Sequence, residues 1–222
     1  PTNRLPWLLL LPRARPGPGS PSSGICDSGV VDALLNAKDE LVRGVPIFGV
    51  CFGFQAIAFR YGWDVVRARH PKHGEVSEVT VKEEEDKEES RRGGLLFKGV
   101  PRVFKATRYH SLEALFPGKR KEAEKEVRGE EELVALAWAD VVESEKENGG
   151  GGGGEEGGTV MALRHKVYPQ YGVQFHPESI CTEPHGKTIV KNFMDIADAY
   201  WKEKRGEMEE EEEGNETTTT IS

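Results

Sequence analysis

Cys51 stands between two glycines, in Gly49-Val50-Cys51-Phe52-Gly53. The apolar run Val45-Pro46-Ile47-Phe48 before it reads as a buried strand, and residues 54–61 after it read as a helix. A nucleophile on a sharp strand-to-helix turn needs small neighbours, because the turn crowds the backbone. Such a turn would hold the thiol at the end of a sheet, where the N-terminus of the helix favours thiolate over thiol. Taken alone, the segment has a competing reading as a buried structural cysteine. A thiol nucleophile also needs a base for its proton and a carboxylate to orient that base. Both types occur in Tyr171-Gly172-Val173-Gln174-Phe175-His176-Pro177-Glu178-Ser179. Residues 171–175 read as a strand that Pro177 ends. His176 and Glu178 then sit at a strand end, as Cys51 does. A lone histidine there would read as a structural group; beside the Cys51 turn it reads as the base, with Glu178 orienting it.

Pro16-Gly17-Pro18-Gly19-Ser20-Pro21 reads as a surface turn or as a rigid loop of exposed backbone N–H groups. In the second reading it would stabilise a developing oxyanion, with the N–H of Phe52 as the other donor. Taken together, PGPGSP at 16–21, GVCFGFQAIA at 49–58, RYHSLEA at 108–114 and YGVQFHPESI at 171–180 resemble the class I (triad) glutamine amidotransferases, in the right order over roughly residues 16–199. The resemblance implies that Cys51 attacks the side-chain amide of glutamine. A glutamyl thioester forms, ammonia leaves, and water releases glutamate. His176 moves the protons and Glu178 orients it. Gly17, Gly19, Gln55, Ser111 and Leu112 are implied around the bound glutamine, and His110 in shaping its pocket.

Within that family the chain is most similar to the chorismate-using branch, the glutaminase parts of anthranilate synthase and aminodeoxychorismate (p-aminobenzoate) synthase. His73-Gly74-Glu75-Val76-Ser77 resembles an HG-x-x-S segment of that branch. Phe54, the run into Ser77-Glu78, and Met161 to Lys166 lean to the aminodeoxychorismate type of fungi and plants, in folate biosynthesis. The partner implied is a chorismate-binding synthase domain or subunit. The alternatives are the anthranilate (tryptophan) line and a non-catalytic remnant that only binds a partner. A cysteine hydrolase of the peptidase or deglycase type fits less well: there a histidine follows the cysteine at once, and Phe52 holds that place.

Those residues need a scaffold. The 222 residues suffice for one α/β domain, expected as a mostly parallel sheet with helices on both faces and chemistry at the strand carboxyl ends. Net charge of −8 without a basic face argues against nucleic acid. The three cysteines, Cys26, Cys51 and Cys181, build no disulfide framework, which fits a reducing, cytoplasmic setting. Leu8 to Leu11 is too short to span a membrane and reads as a strand or a leftover. Cys51, His110 and His176 lack metal-ligand spacing, and neither metal nor cofactor is expected.

Residues 1–15 read as an atypical or truncated start, 16–201 as the amidotransferase domain, and 202–222 as a disordered acidic tail. Flexible insertions are expected near 82–92 and 143–158, the second rich in glycine and glutamate. Helices are expected over 27–41 and 187–201, and strands over 65–69, 75–81, 103–106, 133–138 and 160–165.

Overall fold

The computed structural model describes residues 8–10, 44–82, 95–115, 132–139 and 158–219, with backbone alone for 8–10 and 208–219. The expected helix over 27–41, the loop at 16–21 and nearly all of both insertions lie outside the described residues.

Seven strands form one sheet in the order β1-β2-β7-β6-β5-β3-β4. They are β1 (Leu8–Leu10), β2 (Ile47–Val50), β3 (Asp64–Val81), β4 (Val103–Leu115), β5 (Leu133–Ala139), β6 (Thr159–His165) and β7 (Gln170–Val173). Helix α1 (Phe52–Arg60) follows β2, and α2 (His185–Thr219) closes the chain. The α/β architecture is the one expected. Its parallel part is the β1-β2-β7 half, which carries both Cys51 and the approach to His176. The four remaining ladders are antiparallel, so the described sheet is mixed.

Strand alternation sorts the core into two layers. Ile47 packs with Phe54, Ile57, Trp63 and Leu163 on the α1 side. Phe48 and Val50 pack with Ile189 and Phe193 on the α2 side, where the Phe48 and Phe193 rings stack with centroids 5.0 Å apart. β2 is thus covered on both faces, which is why its sequence is a continuous apolar run rather than an alternating one. Ile47, Phe48, Phe54 and Ile57 are fully buried; each contributes on the order of 1.5–3 kcal/mol.

Helix α1 rests on a floor of two paired glycines. Gly49 and Gly172 lie opposite each other in the β2-β7 ladder. A Cβ on Gly49 would fall 2.5 Å from the carbonyl carbon of Gly53, and one on Gly172 would fall 3.1 Å from Cα of Phe54. At the other cover, a Cβ on Gly186 of α2 would overlap the carbonyl of Pro177, beside His176.

Three elements differ from the sequence expectation. Residues 65–69 and 75–81 join into the single strand β3, which absorbs the interruption as register shifts between Arg67 and Lys72 and between His73 and Glu75. Gly74 makes one of these possible with φ +79°. β4 runs through Arg108-Tyr109-His110-Ser111 to Leu115, because all of it except Ser111, which sits at a register shift, pairs with β3. Helix α2 continues through 202–219, where a disordered tail is expected. Glutamate, lysine and methionine are good helix formers that extend a helix already nucleated by packing, and Lys204 pairs with Glu207 at 2.6 Å. Among the described residues no helix is long and apolar enough to cross a membrane.

Candidate active site

Cys51 sits where β2 becomes α1, with φ 52° and ψ −96°. It is the only non-glycine residue at positive φ among the described residues. Such a conformation costs on the order of 1–3 kcal/mol and persists only where the surroundings hold it. Here they do. The Cys51 N–H donates to Val173 O at 2.8 Å, extending the β2-β7 ladder one residue, and the Cys51 carbonyl accepts from the Gln55 N–H at 3.1 Å, opening the helix. Two ordered elements grip the residue from either side. The Phe52, Gly53 and Phe54 N–H groups precede the first intrahelical donor, as at any helix N-terminus.

His176 lies just past β7. Its N–H donates to Thr107 O of β4 at 2.9 Å, and its carbonyl accepts from the Thr182 hydroxyl at 2.8 Å. Thr182 in turn accepts from the Thr107 N–H at 3.0 Å. This closed ring of bonds fixes the backbone on which the imidazole stands. Nδ1 is 2.6 Å from Glu178 Oε1. A carboxylate only accepts, so Nδ1 carries the proton and Nε2 presents its lone pair. Nε2 is buried and has no hydrogen-bond partner among the described residues. Tyr109 spans the two groups: its carbonyl accepts from Cys51 Sγ at 3.5 Å, and its ring packs edge-on to His176 with centroids 5.8 Å apart.

Burial pushes the Cys51 thiol up to about 11 from an ordinary 9.0. The Phe52 N–H pulls it down, Glu178 pushes it up and a hydrogen bond from Gln174 pulls it down, all less than burial does. The helix N-terminus acts in the expected direction, through the Phe52 N–H, but burial outweighs it. At neutral pH the sulfur keeps its proton until a base takes it. The raised value also links to stability. The folded thiol holds its proton more tightly than the unfolded one, so this contribution is intact below about pH 9 and is lost as pH rises towards 11. Between pH 8.5 and 11 the parent should lose roughly 2 kcal/mol more unfolding free energy than Cys51→Ala, from urea titrations at each pH. Parallel curves for the two proteins would refute the burial effect.

Of the other expected site residues, Gly17 and Gly19 lie outside the described residues. Gln55 is buried in α1 and donates from Nε2 to Leu112 O at 3.2 Å and to Gln174 Oε1 at 3.1 Å. Leu112 thus enters through its carbonyl. Ser111 is exposed on β4 beside it. His110 is buried, with Nδ1 2.9 Å from the same carbonyl and Nε2 accepting from Arg108 Nε at 3.0 Å. Sequence reasoning left Gln174, Thr107 and Tyr109 without roles. Strand alternation carried a signal for Gln174: two residues before His176, it points to the same side. No group of three or more His, Cys, Asp or Glu that could hold a metal ion occurs among the described residues.

Comparison with known proteins follows this geometry. The model of the family "Glutamine amidotransferase class-I" matches residues 14–135 and 141–197. The aminodeoxychorismate synthase of Saccharomyces cerevisiae is 34% identical over 182 residues, which are 82% of this chain and 19% of that protein. Anthranilate synthase component 2 of Methanothermobacter marburgensis is 38% identical over 81% of this chain and 69% of its own. The chloroplastic anthranilate synthase beta subunit 1 of Oryza sativa is 38% identical over 86% of this chain. The chain spans about a fifth of the yeast protein and about half of the rice one. Among solved structures, a Thermoplasma acidophilum protein described as a GMP synthase subunit matches with TM-score 0.52 and 25% identity, over 73% of this chain and 62% of that one.

Proposed function

The chain belongs to the class-I glutamine amidotransferase family, and from that membership we propose that it hydrolyses glutamine at Cys51 and supplies the ammonia to a chorismate-binding synthase. The observation that carries the reading is the pairing of a strained Cys51 at the strand-to-helix turn with a His176 whose Nδ1 is committed to Glu178 and whose Nε2 is vacant. The steps follow from these groups. His176 Nε2 takes the Sγ proton as the sulfur bonds to the side-chain carbonyl carbon of glutamine. The carbonyl π pair moves to oxygen, for which the Phe52 N–H is the proposed donor. Collapse breaks the C–N bond, and His176 returns the proton to the leaving nitrogen, which departs as ammonia. Water, deprotonated by the same Nε2, then attacks the thioester carbonyl, and Sγ leaves to recover its proton with glutamate released. Glu178 accepts from Nδ1–H and steadies the imidazolium. Gln55, Ser111, Leu112 and the loop carrying Gly17 and Gly19 are the proposed surroundings of the substrate.

Aminodeoxychorismate synthesis is the preferred product line, supported by the HGEVSE run and by the yeast relative. Anthranilate synthesis is the second reading, supported by the archaeal and rice relatives. The test is glutamate release from glutamine, measured with each synthase supplied. Cys51→Ser should reduce release to background. Release that persists in Cys51→Ser removes the assignment of the nucleophile.

A further inference from the structure

A buried chain of hydrogen bonds runs to the Cys51 sulfur through Gln174 and Gln55. Gln174 is fully buried, and its Nε2 lies 3.6 Å from Cys51 Sγ. Its Oε1 lies 3.1 Å from Gln55 Nε2, which also reaches Leu112 O at 3.2 Å. A carboxamide can be turned either way, so the polarity of such a chain needs an independent anchor. The Leu112 carbonyl is that anchor, because a backbone oxygen can only accept. Gln55 must therefore present its NH2 to Leu112. The second hydrogen of that NH2 points to Gln174, which must answer with its oxygen. Its own NH2 is then left facing the sulfur. The same carbonyl orders His110, whose Nδ1 must donate to it and whose Nε2 must accept from Arg108. One main-chain oxygen on β4 so dictates two amide orientations and one tautomer.

We propose that Gln174 is a further catalytic residue, which donates from Nε2 to Cys51 Sγ and stabilises the sulfur as it becomes anionic, and that Gln55 is the positioning residue that aims it. The inference rests on reading Cys51 as the nucleophile. It gives the buried sulfur a polar partner where burial alone disfavours charge. The donor matters twice: when His176 takes the thiol proton, and when the thioester breaks and sulfur leaves as an anion. Glu178 opposes that charge from across the site, while the Phe52 N–H and Gln174 favour it. Tyr109 O, the acceptor for the neutral thiol, cannot help an anion. Gln174 therefore favours the state that Tyr109 does not.

The experiment uses Gln174→Leu, which removes the donor, Gln174→Glu, which keeps the shape and exchanges donor for carboxylate, and Gln55→Leu, which frees Gln174 to turn. Iodoacetamide labelling of the Cys51 peptide is followed by mass spectrometry at pH 8.5, well below the thiol pKa, where the rate is proportional to the thiolate fraction. Labelling should slow about tenfold in Gln174→Leu, one pH unit of thiol acidity, and further in Gln174→Glu. Gln55→Leu should show a smaller slowing in the same direction. With glutamine as substrate, kcat of the Gln174 variants should fall at least tenfold with KM within about twofold, since the contact is to sulfur. A role in packing alone would loosen the turn and speed labelling. Unchanged or faster labelling in both Gln174 variants overturns the proposal. If the parent releases no glutamate yet labelling slows as stated, the glutaminase reading falls and the Gln174 contact stands; if the parent releases glutamate and labelling does not slow, the reverse holds.

Discussion

A His176→Asn protein is expected to release glutamate about 10³-fold more slowly than the parent, with KM for glutamine little changed. Asparagine can still offer an N–H to Glu178, so the loop after β7 keeps its bond to that carboxylate. What disappears is the vacant Nε2 lone pair. The loss should be large because no thiolate is resident: burial holds Cys51 near 11, and the base is needed at every turnover. General acid–base transfer accounts for about 10²–10⁴ in rate, and here one nitrogen serves both the thiol and the leaving ammonia. The measurement is steady-state glutamate release with a synthase present, beside the melting temperature of each protein. A variant within tenfold of the parent, at equal folded fraction, would show that another group takes the proton.

The second large effect concerns a glycine. Gly49→Ala should destabilise the protein by about 3 kcal/mol and take glutaminase activity below about one per cent. The added Cβ would lie 2.5 Å and 2.6 Å from the carbonyl carbon and oxygen of Gly53 and 2.8 Å from the amide nitrogen of Phe54. All three are backbone atoms of the first turn of α1, so no rotamer relieves the clash. The turn must lift from β2, which pulls on both bonds that hold Cys51 at positive φ. Gly172→Ala is the internal comparison. Its nearest contacts, at 3.1–3.2 Å, are longer than those at Gly49, and the one to Cδ2 of the Phe54 ring can be relieved by a turn of the ring, so a loss of about 1 kcal/mol is expected. Equal urea midpoints for the parent and Gly49→Ala would refute the close approach.

The residues proposed as nucleophile, base and orienting carboxylate were legible because each is announced within a few residues: glycines about Cys51, a proline after His176, Glu178 two positions on. Helix α2 was legible from its apolar spacing and α1 from its place after the Cys51 turn, though the extent of α2 was not. Composition argues against order in the stretch from 202 onward, whereas a helix already packed through Ile189 and Phe193 extends at little cost. The continuity of β3 was hidden for a related reason. The local pattern breaks at His73-Gly74, and only pairing with β4 carries the strand across the break.

By itself the sequence determined which atoms are available for chemistry: a thiol on a crowded turn, an imidazole at a strand end, a carboxylate beside it. Those follow from residue type and near neighbours. Tertiary structure alone decided the proton state of the thiol, the Nε2 left open on His176, and the turning of Gln174 towards sulfur. The last depends on contacts between residues 57, 119 and 123 positions apart. Proton affinity and amide orientation respond to burial and to the nearest donor or acceptor in space, and the fold brings those partners in from distant parts of the chain.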